Sequence, residues 1–172
     1  MFDKEYSFRG KHAVMVEELT TVLTPAGAGK DNPFRNFDVY LLAPLIGFLY
    51  NIRADKDSDS HTTKVFAEIL MKNSEDLEFN FRLIMLLDKD YEPDSEKRID
   101  KAFRGQETQE DMERYDSYVR GGVEKLYEKI IRGCNTEEEY MNHLFDFLEE
   151  FDERYNQKID LEQLQELCKK IK

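Results

Sequence analysis

The chain is 172 residues long, enough to bury a sizeable core as one domain, and 40% hydrophobic residues with 12 Phe and 9 Tyr exclude a disordered polymer. Gly and Pro, at 8 and 4, supply too few turns for an all-β fold. The net charge of −12 argues against broad nonspecific binding to phosphate backbones. That charge is segregated: residues 1–53 balance, and the remainder holds 19 basic against 31 acidic groups.

The start, MFDKEYSFRGKH, lacks the apolar core of a signal peptide, and no run of 18 apolar residues offers a membrane span. The expected setting is cytoplasmic, with Cys134 and Cys168 as reduced thiols. Tyr6–Phe8 is the one candidate strand. His12–Leu23 places Met15, Leu19, Val22 and Leu23 on one helical face. Thr24–Pro33 is a connector by composition. Its GAGK is not a phosphate loop, because Thr24 and Asp31 stand where that motif needs Gly and Ser/Thr.

Phe34–Asn51, FRNFDVYLLAPLIGFLYN, is the most apolar stretch and predicts a buried central helix. Asn36 is the expected N-cap, Asp38 suits the first turn, and Pro44 should kink the helix. Asp55–Lys64 alternates carboxylates, but Ser60 and Phe66 replace the Gly and Glu of a calcium loop. Thr62 or Thr63 is expected to cap a short helix through Met71, and Ser74 to cap a second apolar helix, Leu77–Leu87. Asp88–Ser95 fails as a calcium loop at Pro93 and Ile99, and reads as a charged turn before a helix, Glu96–Phe103; spacing alone leaves a divalent ion open.

Thr108–Arg132 predicts a long amphipathic helix interrupted by Gly121–Gly122. Each glycine costs about 1 kcal/mol against alanine in a helix interior, so the pair needs close packing, a hinge or a ligand approach to explain it. Thr136-Glu137-Glu138-Glu139 is a capping box. The helix it opens carries Tyr140, Leu144, Phe147, Leu148, Phe151 and Tyr155 on one stripe, and should pack antiparallel on the preceding helix through the short Arg132–Asn135 connection. A last helix from Asp160 aligns Leu161, Leu164, Leu167, Cys168 and Ile171. The expected architecture is all-α: one helical-bundle-like domain over residues 1–172 with six to eight helices.

Chemistry is sparse. Glu139 and His143 form a single i,i+4 pair, without the second copy and spacing of a di-iron bundle. Neither cysteine has the local context of a catalytic thiol, and G-x-S-x-G is absent. The reading leans against an enzyme and assigns no cofactor, metal or catalytic residue. Candidate interaction residues are the N-terminal cations Lys11, Lys30, Arg35, Arg53 and Lys56 and the acidic face Glu149, Glu150 and Glu153.

Phe34, Asp38, Val39, Tyr40, Gly47, Phe48, Arg53 and Lys56 lie in the run FRNFDVYLLAPLIGFLYNIRADKD. This run is similar to a segment in small accessory proteins of bacterial DNA-phosphorothioation (Dnd-type) defence systems, with Pro44 where a small residue would be expected. The resemblance carries no catalytic motif. It implies an accessory component of a multi-protein prokaryotic defence or DNA-modification system. The expectation is therefore a non-catalytic adaptor whose partner is another protein subunit, with no membrane role. The alternatives are nucleic-acid contact through the N-terminal cations and an acidic DNA mimic.

Overall fold

A computed structural model describes residues 2–24, 33–105 and 107–155, apart from the Tyr155 side chain. Lys30, Cys168 and the helix expected from Asp160 lie outside the described residues. In order, the elements are β1 (Tyr6–Arg9), α1 (Lys11–Val22), α2 (Asn36–Leu49), β2 (Thr62–Val65), α3 (Ala67–Lys72), α4 (Ser74–Leu87), α5 (Ser95–Ile99), a turn of π-helix (Asp100–Arg104), α6 (Gln109–Ile130) and α7 (Glu137–Tyr155).

The fold is mostly helical, but the all-α expectation is corrected by a two-stranded antiparallel sheet. Thr62 and Thr63 do not cap a helix; they pair with Arg9 and Phe8, and Val65 pairs with Tyr6. A Thr-Thr-Lys-Val run suits a pleated surface, yet so short a strand is stable only when paired and packed. Both conditions hold. Phe8 and Val65 are buried, and the Tyr6 ring lies 4.5 Å from that of Tyr40 on α2. Asn36 is not the N-cap of α2. Arg35 is, its N–H donating to Asp38 Oδ2 at 2.7 Å, while the Asn36 amide reaches Thr63 Oγ1 at 2.8 Å and ties α2 to β2. Ser74 likewise is the first helical residue, not a cap.

The core is built on the crossing of α2 and α6, where main chains approach so closely that only glycine fits. A Cβ on Gly122 would lie 1.7 Å from Ala43 O, one on Gly121 2.1 Å from Ile52 O, and one on Gly47 2.2 Å from Tyr118 O. Close helix packing is therefore the reason for the double glycine. Around this seam lie Val39, Tyr40 and Ala43 of α2 and Tyr115, Val119 and Val123 of α6, all fully or almost fully buried. Pro44 is buried within α2, and Asn80 of α4 donates to Leu41 O at 2.9 Å in the same stretch.

The main packing partner of α2 is α6; α4 makes a smaller contact with α2 and also seats the π-helical turn. Thr108 opens α6 with a capping box: its Oγ1 accepts from Asp111 N at 3.1 Å, and Asp111 Oδ2 accepts from Thr108 N at 3.0 Å. The Thr136 box also forms, with Glu139 N donating to Thr136 Oγ1 and Thr136 N to Glu139 Oε2. α7 folds back onto α6, burying Phe147 and Leu126; Phe151 is only half-buried and Leu148 is exposed.

Candidate functional site

Three of the predicted cations converge. After α2 the chain turns at Asn51, returns through Ile52 N to Gly47 O at 2.8 Å, and is pinned to α6 by Ala54 N to Ser117 O at 3.0 Å. It then crosses the start of α1. There Gly10, at φ +54°, has no side chain to cap the helix, and Asp57 acts in its place, its Oδ2 accepting from Lys11 N at 3.0 Å. Asp57 Oδ1 accepts from Asp59 N, and these backbone donors hold the carboxyl below its ordinary range. Asp57 and Asp59, which accepts from His61 N at 2.8 Å, are thus cap and turn acceptors. The result is an open cleft of about 460 Å³ lined by Lys11, Arg53, Lys56, Asp57 and Glu124, among others.

Two of the three cations are already paired with carboxylates. Lys11 Nζ lies 2.7 Å from Glu124 Oε1, and Lys56 pairs with Glu113. Arg53 sits over the Tyr118 ring at 6.0 Å. Burial alone would raise the Glu113 and Glu124 carboxyls. Hydrogen bonds from Lys56 and Arg120 to the first, and from Lys11 and His12 to the second, bring both below the usual range. Arg35 does not join the cleft; it lies at the start of α2 beside Asp38, at 3.6 Å.

Sharing Lys56 and Asp57 with the cleft is a small cavity of about 70 Å³ bounded by Tyr6, Arg9, His12, Asp116 and Arg120, among others. Arg120 is buried and donates to Ala54 O at 2.8 Å and Glu113 Oε1 at 2.5 Å. Asp116 Oδ1 is buried and has no hydrogen-bond partner among the described residues. Burial lifts its carboxyl to about 7 against the pull of Arg120. His12 is almost fully buried; burial lowers its pKa although Glu124 Oε1, at 2.9 Å from Nε2, opposes the shift. Of the residues that line the cleft and the cavity, only Lys11, Arg53 and Lys56 were candidates in the sequence. The available signal was a polar stripe on α6, Glu113, Asp116, Arg120 and Glu124, at helical spacing and off its apolar face. Chemically the cleft balances cations against carboxylates, so it suits water or a small dipolar group better than a phosphate chain.

The other charged clusters are structural. Asp88, from the charged turn once open to a divalent ion, is buried and takes a two-pronged contact from Arg114, at 2.7 and 3.0 Å, plus Tyr118 OH at 2.9 Å. Asp111 accepts from Tyr91, Lys101 and Thr108; these bonds outweigh burial and bring it down to about 2. Cys134 and His143, nine residues apart, meet with Sγ 3.1 Å from Nδ1. Desolvation and Glu139 push the thiol up, so the pair does not favour a thiolate. Among the described residues no group of three or more His, Cys, Asp or Glu is placed to hold a metal ion.

The acidic face of α7 also divides. Glu149 and Glu153 are exposed, but Glu150 accepts from Tyr50 OH at 2.9 Å and pairs with Lys129. Beside this face runs a second apolar stripe, Met141, Phe145 and Leu148, each 57–60% exposed. Below Leu148 lies an apolar groove of about 360 Å³ walled by α1, α2, α6 and α7.

No family model matches the chain, and neither a curated protein nor a solved structure matches it. Among the described residues, no helix is long and apolar enough to cross a membrane.

Proposed function

We propose that the protein is a non-catalytic accessory or adaptor subunit that binds another protein through α7. The observation that carries this reading is the exposed stripe Met141, Phe145 and Leu148, which recurs at i, i+4 and i+7 and makes one apolar ridge. Carboxylates flank it, including Asp146, Glu149 and Asp152. A partner of fitting chemistry presents an apolar strip bordered by Lys or Arg. The likeness of residues 34–57 to Dnd-type accessory proteins supports a prokaryotic DNA-modification or anti-phage assembly as the setting. Of the eight residues that carry it, Val39, Tyr40 and Gly47 are buried in the core of α2, while Arg53 and Lys56 are exposed.

Affinity recovery of the tagged chain from its native host, followed by mass spectrometry, tests the reading. A stoichiometric partner should be lost in Met141→Glu/Phe145→Glu while the melting temperature is kept. Recovery as a lone monomer from both proteins would remove the proposal.

A second reading is contact with nucleic acid through Lys11, Arg53 and Lys56, which share one open cleft but of which Lys11 and Lys56 would first have to leave Glu124 and Glu113. Duplex binding that falls steeply with salt, and further with Arg53→Glu, would support it; no binding at low salt ends it. The DNA-mimic alternative now rests on Glu149 and Glu153, and requires DNA to compete for the same partner.

A further inference from the structure

The small cavity beside the cleft lies against a strand edge. All of β1, from Tyr6 to Arg9, lines it together with Asp116 and Arg120 of α6 and Lys56 and Asp57 of the loop, and no residue of β2 does. The cavity is therefore on the side of β1 away from β2. The register decides which main-chain groups face it. Gly10 N donates to His61 O at 2.9 Å, and bonded residues alternate in an antiparallel ladder, so Phe8 and Tyr6 also bond towards β2. Ser7 and Arg9 then turn their N–H and C=O groups the other way, to the cavity. Lys64, opposite Ser7, obeys the same alternation: its C=O points off the far edge and accepts from Asn36 Nδ2 at 3.1 Å. Among the described residues no third strand takes up the groups of Ser7 and Arg9.

We infer that this cavity is a binding site for a primary carboxamide, held between the outer edge of β1 and Asp116. The wall opposes ions of either sign. Arg9, Lys56 and Arg120 disfavour an ammonium group, while Asp57 and Asp116 disfavour a carboxylate or a phosphate. A neutral group must instead match the hydrogen-bonding groups left over. Asp116 Oδ1 is a buried acceptor with no partner among the described residues, and the edge adds a second acceptor, Ser7 O, beside a donor, Ser7 N. A carboxamide carries two N–H donors and an acceptor oxygen in one plane, which serves all three. A hydroxyl has a single donor and leaves one acceptor unserved.

Size and access agree. A volume of about 70 Å³ has room for about two waters at their liquid volume, or for the carbon, nitrogen and oxygen of one amide. Arg120 is tied to Ala54 O and Glu113, so it stiffens the wall and does not swing across the cavity. The cavity adjoins the open cleft at Lys56 and Asp57, the side from which a ligand reaches it. The α7 ridge takes no part.

Titration of the full-length chain with acetamide, acetate and methylammonium, followed by amide NMR, tests the inference. Acetamide should shift the Ser7 and Arg9 amide signals saturably, with a Kd in the millimolar range expected of so small a probe, and the two ions should not. Ser7→Pro removes the outward N–H. Because that group is not in the ladder, the melting temperature should be kept while acetamide weakens about 10-fold, read at Arg9. Asp116→Leu should weaken it as much, whereas Ser7→Ala, which keeps the N–H, should not. Free glutamine and a capped peptide carrying one glutamine then separate the sources: a response to the free amino acid assigns a metabolite site, and a response to the peptide alone a peptide-recognition site. Saturable shifts with acetate or methylammonium in place of acetamide, or with none of the three, would overturn the inference. Acetamide binding unchanged in both Ser7→Pro and Asp116→Leu would put the probe elsewhere and overturn it equally. None of these results bears on Met141→Glu/Phe145→Glu, so the two proposals fail independently.

Discussion

Replacing Gly122 by alanine should destabilise the protein by about 3 kcal/mol, the opposite of what a helix-interior Gly→Ala exchange does where there is room. On propensity alone the exchange gains about 1 kcal/mol. Against that, the new Cβ would stand 1.7 Å from Ala43 O, whereas ordinary contact begins near 3.4 Å. The partner is main chain and has no rotamer to change, so α2 and α6 must separate by about 1.5 Å. Overpacking a filled core typically costs about 1–3 kcal/mol. Separation would also loosen the Gly121–Ile52 and Gly47–Tyr118 approaches and the Val39, Val119 and Val123 packing beside them. A net loss near 3 kcal/mol is a large share of the roughly 5–15 kcal/mol that holds a domain together. Urea unfolding followed by circular dichroism reads it directly. Gly133→Ala serves as control: it meets nothing within 4 Å but sits at φ +86°, and should lose about 1 kcal/mol through left-handed strain alone. If Gly122→Ala melts at or above the parent while Gly133→Ala is weakened, the close approach of the two helices is wrong.

Three further outcomes are expected. Arg114→Ala leaves the buried Asp88 carboxylate without its two-pronged partner and should cost about 3–5 kcal/mol in the same unfolding assay; a change under 1 kcal/mol would mean the pair is solvated. Phe147→Ala should cost about 3–5 kcal/mol, whereas Phe145→Ala, on the exposed ridge, should stay within about 0.5 kcal/mol; equal losses would contradict the placement of α7. For Asp116 the sign is fixed by the raised folded-state pKa, about 7 against about 3.9 unfolded. Between those values the native state holds a proton that the unfolded chain has lost, so this group's contribution weakens the fold as pH rises from about 4 to 7. The stability advantage of Asp116→Asn should therefore grow across that window and level off above it; an advantage independent of pH, measured by urea midpoints from pH 5 to 8, would refute the buried carboxylate.

The elements legible in the sequence are those whose cause is local. The apolar run of α2, the 3–4 residue spacing of α6 and α7, and the Thr136 capping box act within a few turns of chain, and the structure keeps all of them. The double glycine announced a constraint without naming its partner, because the partner, Ala43 O with Gly47 nearby, lies some 75–80 residues away in sequence. A separation of 53–59 residues likewise hid β2, which is a strand only because Tyr6–Arg9 comes alongside it. Charge behaved likewise. Composition showed where cations lie along the chain, but only folding decided that Lys11, Arg53 and Lys56 share one cleft, that Arg35 stands apart, and that Glu113 and Glu124 of α6 neutralise two of them. Periodicity and caps are short-range and survive in the sequence; pairing, desolvation and close approach are properties of residues that meet only when the chain has folded.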